Sequence, residues 1–179
     1  MARRSFMVLV LLWGCAPTES SDPDLGPSEV DGADRPSGET RGSPCGPTFE
    51  LYFEGYCYLA TGFKWMDYNT AKQVCASSKS KVVSIHSIAE DKLVYSLLHP
   101  LNKAAWIGLQ RTGKQFDWED GSPLTYANWA PGEPNNENGG ESCSVIWGPN
   151  VSVNGLASKW NDAPCGDPGR DTVICKRKP

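Results

Sequence analysis

Side chains that carry oxygen atoms suited to a hard cation are concentrated between Trp129 and Cys165. They are Glu133, Asn135, Glu141, Asn161 and Asp162. Ca²⁺ takes six to eight oxygen ligands from carboxylates, amide and backbone carbonyls, and water. Five protein side chains would leave about one or two positions on such an ion open. The stretch therefore predicts a bound Ca²⁺ with room for a ligand.

Cysteines lie in this stretch and recur along the chain. Seven are present, and they follow a signal-like N-terminus, which indicates an oxidising compartment. The six between residues 45 and 175 allow fifteen pairings, and the sequence alone does not choose among them. Cys143 lies within the oxygen-rich stretch and Cys165 ends it, so a cross-link could close the loop around an ion.

Several motifs occur in an order and spacing that resembles the C-type lectin domain. They are Glu133-Pro134-Asn135, Glu141-Ser142-Cys143, Trp160-Asn161-Asp162 with Cys165 three residues later, and Trp106-Ile107-Gly108-Leu109 upstream. The resemblance covers Cys45 to Cys175. It implies a C-type lectin-like fold of two helices, antiparallel sheets and a long Ca²⁺-binding loop.

The resemblance also implies a set of disulfides, ligands and sugars. The implied pairings are Cys45 with Cys57, Cys75 with Cys175, and Cys143 with Cys165. Residues matching Glu133, Asn135, Glu141 and Asn161 bind both ion and sugar in the family, and the match to Asp162 adds coordination. The order Glu-Pro-Asn is associated with mannose-type sugars, and Gln-Pro-Asp with galactose. Pro134 is expected to follow a cis peptide bond.

Hydrogen-bonding chemistry explains why these residue types suit a sugar on an ion. A carboxylate on Ca²⁺ still accepts a hydrogen bond, and a coordinated amide oxygen leaves its NH₂ free to donate. Two neighbouring hydroxyls could therefore contact the ion while each bridges one Glu and one Asn. Ser142 and Asn136 stand where many family members carry acids for an auxiliary Ca²⁺, so we expect one principal ion.

Hydrophobic periodicity independently predicts an α+β domain. A helix is expected from Asp67 to about Ser78, and a second after the capping-box spacing Ser87-Ile88-Ala89-Glu90, ending at His99-Pro100. Two helices followed by a strand-rich half indicate an α+β fold with an antiparallel sheet. The strands are expected within 49–58 and at Trp106–Leu109, Phe116–Trp118, Cys143–Trp147, Leu156–Trp160 and Thr172–Lys176.

The N-terminal region has the composition of a signal and a linker. Residues 1–16 pair a short basic start with an apolar run too short to span a bilayer, typical of a signal peptide. Alternatively, Leu12-Trp13-Gly14-Cys15 resembles a lipoprotein signal that would leave a lipidated Cys15. Residues 17–44 are acidic and rich in Pro, Ser and Gly, which predicts a disordered linker. They show no collagen or heptad repeat, so the oligomeric state stays open. The lectin-like domain then occupies 45–179.

Other functions are less well supported by the residues. The formal net charge of −4 argues against a nucleic-acid partner. His86 and Glu90 are too few for a zinc site, and no nucleophile–base pair indicates an enzyme. Asp117, Glu119 and Asp120 fit a turn between strands, and the tryptophans fit core packing. Asn150-Val151-Ser152 is an acceptor sequon.

We therefore expect a secreted, Ca²⁺-dependent, mannose-binding protein without a membrane-spanning segment. The alternative is a module of the same fold that binds a protein or other non-sugar ligand, with structural Ca²⁺.

Overall fold

The computed structural model describes residues 43–49, 51–98, 104–150 and 155–179. The expected signal peptide and almost all of the linker lie outside these ranges, as do His99-Pro100 and the last two residues of the sequon. Within the described ranges, no helix is both long and apolar enough to cross a membrane.

Both predicted helices are present. Helix α1 spans Tyr68–Ser77, and the carboxylate of Asp67 caps it by accepting the backbone N–H of Thr70 at 2.7 Å. Helix α2 spans Ile88–Leu98. The hydroxyl of Ser87 accepts the N–H of Glu90 at 3.1 Å, as a capping box requires.

Glu90 also satisfies an amide at the start of α2, but not the N–H of Ser87 that a standard capping box uses. The Glu90 carboxylate accepts the N–H of His86 at 2.8 Å, one residue before the expected amide. Its other oxygen accepts the hydroxyl of Tyr58 at 2.7 Å and pairs with the ammonium of Lys176. Glu90 is only 5% exposed, so it serves the core as well as the helix start.

The described strands form one seven-stranded sheet and one hairpin. Their bounds are β1 Leu51–Phe53, β2 Tyr56–Met66, β3 Lys81–Val82, β4 Ala105–Ile107, β5 Leu109–Thr112, β6 Gln115–Trp118, β7 Glu141–Ile146, β8 Trp160–Pro164 and β9 Arg170–Arg177. The large sheet has the order β1-β2-β9-β4-β7-β8 with β3 also on β9, and β5-β6 form the hairpin. Pairing is antiparallel except at Trp106 and Val173, where β4 meets β9 in parallel. The α+β prediction is confirmed.

Strand positions depart from the sequence prediction in several places. The strand expected at Trp106–Leu109 divides at Gly108 between β4 and β5, and β3 was not predicted. The strand expected at Leu156–Trp160 begins only at Trp160, because the N–H of Lys159 still turns back to the carbonyl of Leu156 at 2.9 Å. Pairing with β7 then starts at Trp160 opposite Ile146. The first long strand also continues past Tyr58 to Met66, since β9 offers it a partner along most of that length.

Trp106, Trp118 and Trp160 are buried in the core and Trp129 packs against it, as their strand positions predicted, whereas Trp65 is exposed. Trp106 and Trp160 are completely buried, and Trp118 meets Trp160 edge-on at 5.6 Å between ring centroids. Two buried indole N–H groups have partners: Trp106 donates to the carbonyl of Met66 at 2.9 Å, and Trp160 to Asp91 at 2.8 Å, whereas the indole N–H of Trp118 has none among the described residues.

Gly108 lets the backbones of β3 and the β4–β5 segment approach closely. A Cβ atom there would lie 2.7 Å from the carbonyl oxygen of Val82, closer than real contacts allow. Its N–H donates to the carbonyl of Val83 at 2.8 Å. The glycine of the Trp106-Ile107-Gly108-Leu109 motif is therefore required by packing.

Three disulfides have the pairings that the resemblance implied. Cys75–Cys175 joins α1 to β9, and Cys45–Cys57 joins the chain before β1 to the start of β2. Cys143–Cys165 joins β7 to the residue after β8. This last bond thus ties β7, the strand that follows the long loop of residues 119–140, to the end of β8.

Candidate functional site

Glu133 and Asn135 face each other on the long loop. The peptide bond between Glu133 and Pro134 is cis, as expected. The amide nitrogen of Asn135 donates to Oε1 of Glu133 at 3.0 Å, and the Asn135 backbone N–H donates to Oε2 at 3.1 Å. A carboxylate and an amide thus lie side by side, which is the donor and acceptor pair that a sugar hydroxyl would need.

Asp162, on β8, anchors this loop. Its carboxylate is completely buried and accepts the backbone N–H groups of Asn135 at 3.1 Å and Asn136 at 2.9 Å. The residue separation is 26 to 27, so the contact depends on the tertiary fold. The buried acid therefore holds the Glu133–Asn135 segment against the end of the sheet.

Glu141 opens β7 at the other end of the loop and is 8% exposed. Its Oε2 accepts the N–H of Glu137 at 2.8 Å, and its own N–H donates to the side-chain oxygen of Asn136 at 3.0 Å. The N–H of Glu137 also reaches the side-chain oxygen of Asn135 at 2.8 Å. The short turn between the motifs thus links Asn135 to Glu141.

Asn161 lies beside the other four residues without contacting their side chains. Its amide nitrogen donates to the backbone carbonyl of its neighbour Asp162. In the described part of the chain, no hydrogen bond joins its side chain to Glu133, Asn135 or Glu141. The structure therefore brings four of the five predicted residues together and places the fifth next to them on β8.

Arg111, on β5, belongs to the site and was missed from the sequence. Its guanidinium lies 2.6 Å from Oδ2 of Asp162, and its Nε donates to the carbonyl of Glu141 at 3.0 Å. The group also stacks 4.5 Å from the ring centroid of Phe116. The sequence signal that could have identified Arg111 was the alternation of side chains along a strand. Arg111 is two residues from the buried Leu109 and therefore shares its face.

The carboxylates of this site repel one another. Burial raises the pKa of Glu133, and its contact with the acid of Asp162 raises it further. Burial likewise raises the pKa of Glu141, and the negative charges of Asp162 and Glu137 add to that effect. The site thus holds more negative charge than the guanidinium of Arg111 balances.

The chemistry of this donor set fits a hard cation such as Ca²⁺. Every predicted ligand offers oxygen, and two of them are amides, which Ca²⁺ accepts alongside carboxylates. In the described ranges no three carboxylate, imidazole or thiol groups already surround one point as a metal centre. The amide oxygens of Asn135 and Asn161 are therefore needed to complete the set of metal ligands. The raised pKa values of Glu133 and Glu141 indicate a local excess of acid that a cation would relieve.

The other candidate groups have structural partners instead. The imidazole of His86 contacts the hydroxyl of Ser122 at 3.1 Å, and only the backbone N–H of His86 reaches the acid of Glu90. Asp120 accepts from Ser84 at 2.5 Å and from the N–H of Ser122 at 2.9 Å. The segment from Trp118 to Gly121 is a turn, closed by a backbone hydrogen bond of 2.9 Å. These residues therefore do not form a zinc site or a catalytic pair.

Comparison with known proteins places this geometry in context. Residues 64–177 match the family model described as Lectin C-type domain. The low affinity immunoglobulin epsilon Fc receptor of Mus musculus is 37% identical over 132 residues, which is 70% of this chain and 36% of that receptor. The chain thus spans about a third of that relative's length.

Solved structures agree with the match. The cow carbohydrate-recognition domain of CD23, crystallised in the presence of a GlcNAc2Man3 oligosaccharide, superposes with a TM-score of 0.64 at 32% identity. It covers 74% of this chain and 95% of that one. Herring type II antifreeze protein gives a TM-score of 0.63 at 26% identity, over 75% of this chain and 99% of that one. The chain belongs to the C-type lectin domain family.

Proposed function

We propose that this protein is a Ca²⁺-dependent lectin that binds mannose-type sugars at the long loop. The observation that carries the proposal is that Asp162 on β8 and Glu141 on β7 both hold the segment of the long loop that bears Glu133, so that the three acids lie beside one another. Among the described residues, only the guanidinium of Arg111 opposes their charge there. The family includes carbohydrate-binding relatives, and the domain is a binding module rather than an enzyme.

The five oxygen-bearing side chains would share the work of holding an ion and a sugar. Ca²⁺ would be held by Glu133, Asn135, Glu141, Asn161 and Asp162, and when bound it would supply a Lewis-acidic anchor for two vicinal hydroxyls. The carboxylates of Glu133 and Glu141 would accept hydrogen bonds from those hydroxyls. The amides of Asn135 and Asn161 would donate to them.

The order of Glu133 and Asn135 supports the choice of sugar. Acceptor and donor are fixed side by side by two hydrogen bonds of 3.0 and 3.1 Å. In the family, the order Glu-Pro-Asn is associated with equatorial 3- and 4-hydroxyls, as in mannose. Exchanging the two side-chain types would exchange the positions of the hydrogen-bond acceptor and donor that a pair of sugar hydroxyls contacts.

The proposed site would bind a single sugar weakly, in the millimolar range, which is about −4 kcal/mol. Useful affinity would need several sites acting together. We also propose that residues 1–16 direct export, that 17–44 form a linker, and that 45–179 act outside the cell. A lipidated Cys15 is the alternative form of attachment.

The proposal is tested on sugar columns. Wild-type protein is loaded on mannose and galactose resins in Ca²⁺ and eluted with a chelator. Retention on mannose alone, with release by chelator, is expected. The double variant Glu133→Gln/Asn135→Asp serves as the matched comparison, and it is expected to move to the galactose resin.

A second function is favoured by one observation, the likeness to the herring antifreeze protein. A module of the same fold could bind a protein or another non-sugar ligand. Failure on both resins, combined with Ca²⁺ uptake by calorimetry, would favour this second function over the lectin proposal.

A further inference from the structure

A cavity of about 480 Å³ lies away from the proposed sugar site, where the end of α1, strand β3 and the end of β9 meet. It shares no lining residue with the five predicted ligands. We call it the basic pocket and define it by Tyr56, Ala76, Lys79, Lys81, Val82 and Arg177. Cavities that hold small molecules commonly measure about 300–1,000 Å³.

Cationic side chains surround the mouth of the basic pocket. Lys79 and Lys81 are exposed, and in the described ranges no acid pairs with either ammonium. Lys81 makes one bond, to the carbonyl of Glu119 at 3.2 Å, which leaves two of its three donors. Arg177 stacks on Phe49 at 4.4 Å and donates only to backbone carbonyls, so its charge also lacks a carboxylate partner among the described residues.

The other charged groups on the pocket wall are Lys176 and Asp120. Lys176 is paired with the buried acid of Glu90. Asp120 accepts hydrogen bonds from the neutral groups of Ser84 and Ser122 and so keeps its negative charge. Lys79, Lys81 and Arg177 outnumber this one acid, so the net charge at the pocket is positive.

The interior of the pocket is mostly apolar. Val82 is buried at its floor, and Tyr56 forms a wall that is held by the ammonium of Lys176, 4.3 Å from its ring. A ligand that matches both features has an apolar body and an anionic end. A bare inorganic anion would leave the apolar wall unused.

The backbone that presents Lys79 is held in place. The N–H of Lys79 donates to the carbonyl of Ala76 at 2.9 Å, and that of Ser80 to the carbonyl of Cys75 at 3.0 Å. Lys79 itself has a φ of +53°, a conformation that side-chain-bearing residues seldom adopt. The turn at the end of α1 thus fixes the direction in which the Lys79 side chain leaves the backbone. Less conformational entropy is then lost when its ammonium group binds a ligand.

We propose that the basic pocket binds a small amphiphilic anion, namely an acyl chain or aromatic ring that bears one carboxylate, sulfate or phosphate. The ammonium groups of Lys79 and Lys81 contact the anionic group, and the apolar body lies against Tyr56 and Val82. Binding at this pocket does not depend on Ca²⁺, so a chelator separates it from the proposed lectin activity.

The test uses the full chain and the fluorescent probe 8-anilinonaphthalene-1-sulfonate, titrated in chelator. The variant Lys79→Gln/Lys81→Gln is expected to bind the probe at least about tenfold more weakly, because two charged hydrogen bonds are lost. The control is Lys92→Gln/Lys114→Gln, which removes the same charge from exposed lysines elsewhere and is expected to bind like wild type. Ala76→Glu places an acid at an exposed position of the pocket and is expected to weaken the probe likewise.

Competition identifies the chemistry and its source. Octyl sulfate is expected to displace the probe, whereas octyl glucoside and inorganic sulfate are not. Displacement by octanoate but not by phosphatidylserine vesicles assigns the pocket to soluble acids, and displacement by the vesicles assigns it to lipid headgroups. Failure of octyl sulfate, octanoate and phosphatidylserine vesicles alike to displace the probe overturns the proposal. So does equal binding by the pocket variant and its lysine control, provided that thermal unfolding shows both to be folded.

Discussion

The guanidinium of Arg111 lies 2.6 Å from the carboxylate of Asp162, across 51 residues of sequence. The carboxylate is completely buried and the arginine side chain is 19% exposed, so this ion pair is largely shielded from water. The same carboxylate receives the N–H groups of Asn135 and Asn136. A protein cation therefore contacts one of the residues that we propose to hold Ca²⁺, and it positions the carboxylate of Asp162.

Arg111→Gln is expected to destabilise the Ca²⁺-free protein by about 3 kcal/mol, because it leaves the buried acid of Asp162 without its cation. In saturating Ca²⁺ the loss is expected to be smaller, since a bound ion would supply positive charge to the same acid. Urea unfolding of both proteins, with chelator and with Ca²⁺, measures the difference. Arg111→Lys is the control that keeps the charge. An equal loss in both conditions would show that Arg111 is unrelated to the proposed ion.

Glu141→Gln is expected to weaken Ca²⁺ binding at least about tenfold, or 1.4 kcal/mol, and to abolish retention on mannose resin. The substitution keeps the shape of the side chain and its acceptor for the N–H of Glu137, so the fold should remain. Calorimetric titration with Ca²⁺ measures the effect. The neighbouring exposed Glu137→Gln removes the same charge and is expected to bind nearly as wild type. Sugar binding that survives Glu141→Gln would contradict the proposed site.

Acidification is expected to remove the stabilising effect of Ca²⁺. Burial and neighbouring acids raise the pKa of Glu133 and of Glu141 in the Ca²⁺-free fold. The stability these two groups contribute is therefore present below the ordinary Glu value of about 4.3, and it is lost as pH rises through their raised values. Ca²⁺ requires the deprotonated forms and would restore stability at neutral pH, by about 2.7 kcal/mol at a hundredfold excess over Kd.

Thermal unfolding across the range from about pH 4 to pH 7.5 checks this expectation. The difference in Tm with and without Ca²⁺ should be largest at the neutral end and should shrink as pH falls through the raised values. A Ca²⁺ effect of the same size at both ends of the range would show that neither Glu133 nor Glu141 contributes to ion binding.

Removal of the Cys75–Cys175 disulfide is expected to cost more stability than removal of Cys45–Cys57. The first closes a loop of 100 residues and the second a loop of 12. In the chain-entropy model these are worth about 4.7 and about 3 kcal/mol. Paired Cys→Ala variants, compared by urea unfolding, provide the measurement. If removal of Cys45–Cys57 costs more stability than removal of Cys75–Cys175, the hairpin of β1 and β2 contributes through native contacts.

Lys176→Met is expected to destabilise the domain by about 3–5 kcal/mol, because the buried side chain of Glu90 would lose its cationic partner. The double variant Glu90→Gln/Lys176→Met should recover part of this loss, since it removes both charges. The amide oxygen of the glutamine can accept the N–H of His86, while its NH₂ can donate to the hydroxyl of Tyr58. Chemical unfolding of the two single variants and the double variant gives the coupling energy. Strictly additive losses would show that the pair does not interact energetically.

Local sequence was sufficient for features that depend on neighbouring residues. The capping of α1 by Asp67 involves a residue three positions away, and the hydrophobic period of the two helices follows from the helical repeat. Glu133, Pro134 and Asn135 are adjacent, so their mutual contacts could be expected from the motif itself. The family also followed from motif spacing, and with it the disulfide pairing that residue chemistry alone left open.

Long-range pairing decided what local pattern could not. The strand expected at Leu156–Trp160 begins at Trp160, because its limits depend on pairing with β7 rather than on its own residues. Glu90 pairs with Lys176, which is 86 residues away, and also accepts a backbone N–H at the start of its own helix. Neither partner can be inferred from the periodicity of the segment in which the residue lies.

The sequence by itself determined which residues could bind an ion, since oxygen ligands are a matter of side-chain chemistry. The tertiary structure decided how they are assembled: Asp162 holds the loop through the N–H groups of Asn135 and Asn136, and Arg111 balances part of its charge. It also collected Lys79, Lys81 and Arg177 around one cavity from separate parts of the chain. Residues distant in sequence become neighbours only when strands pair and the core closes, because those contacts carry no local signal.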